Sequence, residues 1–460
     1  MTHPDESVRP VTRELAAFAS AVRFEKLPAA TVDMARRLLL DGIGCLLVGG
    51  TGEHGTNATA VVRRMGGSPQ ATLITDLKPA SVRDAAFVNG ICLYSVGLND
   101  VHKPAGAHSG GCIIPAALAV GEWQRSSGAD LLAAMTAGYE ITGRIGRAVR
   151  PSHRERGFHP TGTCGTFGAA VTAGRLLGLA AQDMASAMGI AGSQAAGLYE
   201  CHHDGTSTMI FHAGRAAQNG VEAALLTQAG FTGPATVIEG SKGFFCAMSD
   251  KFDSAAAMAD FGGRFEIDCT SFRPYFGCNS TIAASGAAAR IVQAMKFEPE
   301  QVASIKAYCH PVVAQDNCDN DPHTQLAARL SLPFNVALVM VNRDVLSTDL
   351  DEKTVADPRI RGMLPKISLI ADANMPRYGC RLVVRTLNGS EVQETIAEPR
   401  GSDQQPLLWN DVVEKFSRLV GALGHAKDRQ RVVDAVAKIE TIDVPELVEN
   451  LRAFRTLRAA

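Results

Sequence analysis

Apolar residues recur at spacings of three and four along most of the first 270 residues, the repeat expected when one face of a helix packs against a core. The repeat is clearest at residues 31–47, 129–149 and 207–228, and residues 76–99 carry a further helical run of small side chains. Because alanine and glycine are abundant in these runs, the helices are expected to pack closely. The pattern predicts a large all-helical domain over residues 1–270.

A different pattern follows residue 271. Polar and apolar residues alternate at 305–308 and 380–386, as in a strand with one buried face. The second run leads into Asn388-Gly389, which favours a tight hairpin turn, and then into a third run at 390–396. Helical repeats lie at 281–295 and 332–341 and return at 412–423 and 428–438. The mixed pattern of strand and helix repeats therefore predicts a smaller α+β domain over residues 271–399, followed by amphipathic helices.

Composition excludes several classes of protein. The 460 residues have a formal net charge of −2 and no basic tract interleaved with aromatic residues, so nucleic acid and membrane surfaces are not expected partners. The longest apolar runs, such as residues 42–50, are too short to span a bilayer. Eleven scattered cysteines without a CxxC pair, and a start unlike a signal peptide, predict a cytoplasmic location.

The segment GFHPTGTCGTFGAA, residues 157–170, places His159 directly before a run of small residues that is expected to begin a helix. Backbone N–H groups at such a helix start attract an anion, and the imidazole beside them titrates near neutral pH. Similar helix starts also occur where helices only pack tightly. This segment alone does not decide between binding and packing.

Other segments follow in the order of a known family. They are GLNDVH at 97–102, HSGG at 108–111, PAALA at 115–119, FHAGRAA at 211–217, GFTGP at 230–234, FRPY at 272–275, expected to begin a strand, and SLPFNVA at 331–337. With residues 157–170, the series resembles the MmgE/PrpD family, which includes 2-methylcitrate dehydratase, cis-aconitate decarboxylase and iminodisuccinate epimerase. The resemblance covers nearly the whole chain.

The resemblance implies an enzyme of small polycarboxylates that works without a metal or another cofactor and forms a homodimer. It also implies that residues 400–460 rejoin the helical domain, so that the α+β domain is an insertion. The expected fold is mainly α, with a large all-helical domain of residues 1–270 and 400–460 and a smaller inserted α+β domain of residues 271–399.

Reactions of this family transfer a proton at a carbon next to a carboxylate or imine. Histidine suits that transfer because its pKa lies near working pH, and the planar arginine fork suits carboxylates. The resemblance gives as catalytic candidates His108, His159, Asp100 and His212. The substrate-binding candidates are Arg273, Tyr275, Lys103 and the helix start at Thr161, Gly162 and Thr163. Each also has a structural interpretation, as a packing residue, a helix cap or a solvated charge.

Two other chemistries are open. Cys164 and Cys278 lie in candidate site segments and would supply a nucleophile or base, although an inert buried thiol is favoured. Adjacent His202 and His203 could join other histidines around a metal ion. Neighbouring side chains point in different directions and no metal-ligand spacing supports a site, so they are expected to be loop residues.

Three segments depart from the family pattern. Gly97 and Asn99 replace acids of its LDFDD segment, Met209 replaces a lysine, and Arg273 replaces the lysine before Pro-Tyr. Joint loss of an aspartate and a lysine can leave the scaffold intact, because neither charge is stranded. We therefore expect a substrate other than 2-methylcitrate or cis-aconitate.

The sequence thus predicts a metal-independent, dehydratase-type lyase that acts on a small di- or tricarboxylate, such as a 2-methylcitrate-like hydroxy acid, by histidine-mediated proton transfer. Two alternatives stay open: a dicarboxylate epimerase or isomerase on the same scaffold, and a catalytically weakened carboxylate-binding protein. Decarboxylation is a lesser alternative.

Overall fold

The computed structural model describes residues 9–294, 298–343 and 352–457. The chain divides into two compact units, one up to Ser271 and again from Val412, the other Phe272–Asp411. The first unit is helical and the second combines helices with a four-stranded sheet, which confirms the predicted mainly α fold with a smaller α+β part. The predicted domain boundaries at 270/271 and 399/400, with an inserted domain, stay a prediction.

The first unit begins with thirteen α-helices among its described residues. Their bounds are α1 Val11–Ala21, α2 Ala29–Gly49, α3 Glu53–Met65, α4 Val82–Ser95, α5 Gly110–Gln124, α6 Gly128–Val149, α7 Ser152–Glu155, α8 Pro160–Leu176, α9 Ala181–Gln194, α10 Glu200–His203, α11 Thr208–Gln228, α12 Phe244–Met248 and α13 Ser254–Met258. Two short antiparallel pairs, which the helical pattern did not predict, join β1 (Ala71–Thr72) to β2 (Pro79–Ala80) and β3 (Val101–His102) to β4 (Thr270–Ser271).

The second unit has a sheet of order β6-β5-β7-β8, in which β5 and β6 are parallel and the other pairs antiparallel. Its elements are α14 Ile282–Ala294, β5 Val302–Cys309, α15 Pro311–Asp316, α16 Gln325–Leu330, α17 Leu332–Asn342, α18 Glu352–Val355, α19 Pro358–Met363, β6 Ile367–Ala371, β7 Cys380–Thr386 and β8 Glu391–Ile396. The predicted hairpin is confirmed, and Gly389 at its turn has a φ of 87°. The chain returns to the first unit through α20 (Trp409–Leu419), followed by α21 (Ala426–Ala437) and α22 (Val444–Leu451).

Small residues bring the helices of the first unit together, as the composition predicted. A Cβ atom at Gly90 of α4 would lie 2.7 Å from the Cα atom of Gly214 in α11, and a Cβ at Gly214 would lie 2.5 Å from the carbonyl oxygen of Phe87. Only glycine allows this close approach. The crossing places His212, two residues before Gly214, near Tyr94, four residues after Gly90.

Three expectations about elements were wrong. The helix predicted at 76–99 begins only at Val82, where the Ser81 hydroxyl accepts a hydrogen bond from the Asp84 N–H and caps α4. The strand expected at 272–275 is absent from those residues, because β4 ends at Ser271. His202 and His203 lie in α10 rather than in a loop. Residue 295, the end of another predicted helix, lies outside the described residues.

Candidate active site

His159 occupies the N-terminal cap of α8, as the sequence predicted for a helix start. Its backbone is extended, Pro160 takes the first helical position, and the N–H of His159 donates to the carbonyl oxygen of Gly197 at 2.9 Å. Proline suits this position because it has no N–H to leave unpaired. The imidazole is thus fixed by its own backbone at the edge of a helix and is only 3% exposed.

His159 meets a second candidate histidine and a tyrosine. Its Nδ1 atom lies 3.1 Å from Nδ1 of His212, and its Nε2 atom lies 3.5 Å from the hydroxyl oxygen of Tyr94. Burial holds the pKa of His159 well below its ordinary value, and the nearby His212 and Arg154 lower it further. Burial also lowers the pKa of His212. Both rings are therefore neutral near pH 7.

His108 also lies against Tyr94. Its Nδ1 atom is 2.7 Å from the carbonyl oxygen of Asp100, and its N–H donates to the hydroxyl oxygen of Thr161 at 3.0 Å. Because a carbonyl can only accept, Nδ1 carries the proton and the lone pair of the neutral ring is on Nε2. The Tyr94 ring stands edge-on to His108, with centroids 5.4 Å apart. Two candidate catalytic histidines thus contact one tyrosine.

Asp100 was expected to orient His102 or His108. Its carboxylate accepts hydrogen bonds from the Gly110 N–H at 3.1 Å and from the Tyr139 hydroxyl at 3.0 Å, at the start of α5. Its backbone carbonyl oxygen contacts Nδ1 of His108. The carboxylate therefore holds the loop, and the carbonyl sets the direction of the His108 ring.

His102 has a different environment. The Ala105 N–H donates to its Nδ1 atom at 3.1 Å, so Nε2 carries the proton, and Nε2 lies 2.9 Å from a carboxylate oxygen of Glu266. Among the described residues, His102, Glu266 and Cys269 form a group that could surround a metal ion. This tautomer points a proton rather than a lone pair at Glu266, which does not suit a metal ligand.

The helix start at Thr161 to Thr163 makes local hydrogen bonds, and its role in substrate binding stays a prediction. The N–H groups of Gly162 and Thr163 donate to the carbonyl oxygen of His159 at 2.9 and 3.1 Å, so in this structure they are engaged in the first turn rather than presented to a carboxylate. A Cβ at Gly162 would clash with the carbonyl oxygen of Ala196, which explains the glycine by packing. The Thr163 hydroxyl contacts Nε2 of His153 at 2.7 Å. The Thr161 hydroxyl oxygen accepts the hydrogen bond from the His108 N–H.

The remaining binding candidates are less directly placed. Lys103 is half-buried in the turn after β3, where its carbonyl accepts a hydrogen bond from Arg150. Arg273 and Tyr275 belong to the second unit, where Arg273 is buried and Tyr275 lies near Gly286 of α14. Their roles stay predictions.

Tyr94 and Arg154 also belong to this cluster. The Arg154 guanidinium donates to the Tyr199 hydroxyl at 2.6 Å and stacks over the Tyr199 ring, whose centroid is 5.8 Å from that of His159. Tyr94 follows the apolar residues Ile91 to Leu93 in α4, so the sequence pattern predicts another core residue at this position. No signal in the sequence distinguished it.

The thiols near this cluster are unreactive. Burial raises the pKa of Cys164 to about 12. Burial and the Asp100 carboxylate raise that of Cys112 as well, and its thiol contacts the carbonyl oxygen of Thr161 at 3.3 Å. A thiol that stays protonated is a poor nucleophile.

The fold and the side chains described above define a mainly α protein with a buried pair of neutral histidines, His159 and His212, suited to proton transfer.

The chain belongs to the MmgE/PrpD family. The family model of the MmgE/PrpD N-terminal domain matches residues 13–257, and that of the C-terminal domain matches residues 275–441. The family predicted from the sequence motifs is therefore confirmed.

Three relatives match the chain over most of its length. It is 27% identical to the cis-aconitate decarboxylase-like protein oryM of Aspergillus oryzae, covering 95% of this chain and 96% of that protein. It is 26% identical to a cis-aconitate decarboxylase of Aspergillus terreus, over 96% of each chain. It is 25% identical to the cis-aconitate decarboxylase of Homo sapiens, over 89% of this chain and 87% of that protein.

Decarboxylases are lyases, so the prediction of a lyase-type enzyme is confirmed at that level. Among the described residues, the helices are too short or too polar to cross a bilayer.

Proposed function

We propose that the chain is a lyase that acts on a small di- or tricarboxylate by histidine-mediated proton transfer, without a metal ion. The observation that carries the proposal is the buried pair of His159 and His212, whose Nδ1 atoms lie 3.1 Å apart beside Tyr94. Buried neutral imidazoles can take a proton from carbon or return one near pH 7. His108, with its lone pair on Nε2, supplies a second acid–base group.

The relatives favour decarboxylation over the dehydration predicted from the sequence. In decarboxylation one carboxylate leaves as CO₂, the electron pair of the broken carbon–carbon bond stays with the organic product, and carbon takes up one proton. Dehydration needs a base that removes a proton from carbon and an acid that protonates the departing hydroxide. Because His159 and His108 could share those two roles, dehydration is the second candidate.

Charge around the cluster supports a polycarboxylate substrate. The exposed guanidinium of Arg154 is held by Tyr199 and lies near enough to His159 to lower its pKa. Lys103, Arg273 and Tyr275 are proposed as further carboxylate-binding residues. The departures at Gly97 and Met209 support a preferred substrate other than cis-aconitate, so that this compound would be turned over slowly.

Proton NMR in D₂O on the purified, metal-chelated protein tests the proposal, with cis-aconitate, citrate, 2-methylcitrate and iminodisuccinate as substrates. We expect a decarboxylated or dehydrated product, and activity that survives chelation. The variant His159→Gln should lose this activity. The variant His54→Gln, which changes an exposed histidine of α3, should retain the activity.

Other outcomes would replace the proposal. Exchange of a carbon-bound proton without a new product would identify an epimerase or isomerase. A rise in melting temperature with a panel compound, without exchange or turnover, would identify a carboxylate-binding protein. Activity lost on chelation and restored by a metal ion would contradict the metal-free mechanism.

The proposal also includes a homodimer and an inserted domain at residues 271–399, both supported by family membership, and a cytoplasmic location, supported by the scattered cysteines without a CxxC pair. Analytical ultracentrifugation tests the dimer, and a monomer at working concentration would contradict it.

A further inference from the structure

Tyr94, His159 and His212 form a continuous chain of polar atoms inside the first unit. The Tyr94 hydroxyl lies 3.5 Å from Nε2 of His159, and Nδ1 of His159 lies 3.1 Å from Nδ1 of His212. All three side chains are buried. The two nitrogens of His159 thus face two different partners.

The contact between the two Nδ1 atoms requires a shared proton. Two facing lone pairs would repel at 3.1 Å, whereas one N–H makes a hydrogen bond. Because both rings are neutral, each carries one proton, so the two histidines must adopt opposite tautomers. When His159 holds the shared proton, its Nε2 atom presents a lone pair to Tyr94. When His212 holds it, Nε2 of His159 presents a proton.

We propose that these three residues form a proton relay, in which His212 sets the tautomer of His159 and Tyr94 is a further catalytic residue that exchanges a proton with the substrate. The substrate step rests on the proposed function, whereas the coupling of tautomers rests on the geometry alone. Tyr94 is placed for its role because its ring lies between His108 and His159, nearly perpendicular to both.

Each proton that moves along the relay has a donor and an acceptor. The Tyr94 oxygen takes a proton from the substrate carbon while its own hydroxyl proton passes to Nε2 of His159. The Nδ1 proton of His159 moves to Nδ1 of His212. His159 ends neutral with its proton on Nε2, and His212, which began with a proton on Nε2, ends as an imidazolium. In decarboxylation the opposite tautomers act: Tyr94 gives its hydroxyl proton to carbon and takes the Nε2 proton of His159. His159 then takes the Nδ1 proton of His212, and Nε2 of His212 takes up a proton from solvent, so that both rings stay neutral.

The charges around the cluster favour a positive charge on His212 over one on His159. Burial opposes protonation of His159 most, followed by the nearby His212 and the permanently charged guanidinium of Arg154. Burial alone is what lowers the pKa of His212, which is the slightly more exposed ring. His212 is therefore a positioning residue that can also store the transferred proton.

Long-range ¹H–¹⁵N correlation spectra of the full-length, histidine-labelled protein test the coupling without a substrate. We expect two neutral rings at about pH 7.5 with opposite tautomers, assigned by the signals that disappear in His159→Gln and His212→Leu. The His212→Leu variant should also shift the tautomer of His159, and His54→Gln should not. Two identical tautomers, a charged ring, or unchanged His159 signals in His212→Leu would overturn the coupling.

Tyr94→Phe tests the catalytic role because it keeps the ring and removes the hydroxyl. We expect kcat to fall about a hundredfold or more, with KM changed by less than about threefold, since general acid–base groups contribute on the order of 10²–10⁴-fold. Tyr308→Phe, on β5, is the matched control and should match the wild type. A Tyr94→Phe rate within about twofold of the wild type would overturn the role.

Failure of the two proposals can be told apart. A wild-type protein that neither turns over nor exchanges any panel compound overturns the proposed function, and the catalytic role of Tyr94 with it. The spectra still decide the tautomer coupling in that case.

Discussion

Nδ1 of His108 lies 2.7 Å from the backbone carbonyl oxygen of Asp100, the residue whose carboxylate is bound at the start of α5. The side chain of Asp100 thus fixes the loop, and its main chain fixes the histidine. A carbonyl acceptor holds one tautomer without adding a negative charge beside the ring. In its neutral form His108 therefore has its lone pair on Nε2, as a general base requires.

His108→Asn separates this anchor from the acid–base group. The asparagine amide can still donate to the Asp100 carbonyl, because its nitrogen lies where Nδ1 of histidine lies, but it offers nothing at the Nε2 position. We expect a folded protein whose kcat falls by about a hundredfold or more on the substrate identified by NMR. Steady-state kinetics measure the change, with His54→Gln as control, and a rate near the wild-type value would exclude His108 from the chemistry.

Lys415 and Asp41 form a buried ion pair at 2.6 Å, and the Lys415 ammonium also donates to the carbonyl oxygen of Leu98, two residues before Asp100. Lys415→Met strands a buried carboxyl and releases the loop, so we expect a loss of about 3–5 kcal/mol in the free energy of unfolding. The double variant Lys415→Met with Asp41→Leu should recover much of this loss. Guanidinium unfolding measures both, and a double variant as unstable as the single one would contradict the pairing.

Acid should destabilise the protein through its buried histidines. Burial lowers the pKa of His153 to about 4, so between about pH 6.5 and 4 the unfolded chain binds a proton that the folded chain does not. The free energy of unfolding therefore falls as the pH falls through this window, by up to about 1.4 kcal/mol per pH unit for each such histidine. His159 acts in the same direction.

His153→Gln removes one of these titrations while its amide can still reach the Thr163 hydroxyl. Guanidinium unfolding at about pH 7 and pH 5 should show a smaller loss for this variant than for the wild type. His54→Gln should lose as much as the wild type. Equal losses in all three proteins would mean that His153 is protonated in the folded state.

Restoring the family residues at Gly97 and Met209 tests why this site differs. Gly97 has a φ of 72°, a left-handed conformation that costs a non-glycine residue about 1–2 kcal/mol. Gly97→Asp with Met209→Lys should therefore lower the melting temperature but create or raise activity on 2-methylcitrate or cis-aconitate. Gly97→Asn with Met209→Lys is the matched control, since asparagine shares the shape and backbone tolerance of aspartate without its charge. Equal NMR activity in the two folded variants would count against a restored ion pair.

The helical repeat was sufficient to predict much of the fold, because periodicity reports which face of an element is buried. Residues 129–149 and 207–228 correspond to α6 and α11 within one residue at either end. The start of α4 was missed because its cap at Ser81 is a local hydrogen bond rather than part of the repeat. The motifs likewise selected His159 and His212, which the structure brings together across 53 residues.

The rest of the site depends on contacts that a residue pattern cannot show. The partner of His108 is a main-chain carbonyl, which every residue possesses, so nothing in the sequence marks it. The sequence also does not reveal that the N–H groups of Gly162 and Thr163 donate to the carbonyl oxygen of His159. Tyr94 is a candidate catalytic residue because α4 and α11 cross at Gly90 and Gly214, and the sequence pattern does not show this crossing.

The hydrogen bond between Lys415 and Leu98 can form only late in synthesis, after the other helices of the site have been made. The two residues are 317 positions apart, which a ribosome covers in roughly 15–60 s at about 5–20 residues per second. From residue 228 onward the nascent chain holds both α8 and α11, but it still lacks the Lys415 ammonium that anchors the loop before Asp100. A polypeptide released early would share most of the full chain and still lack the contact that anchors the loop of the candidate site.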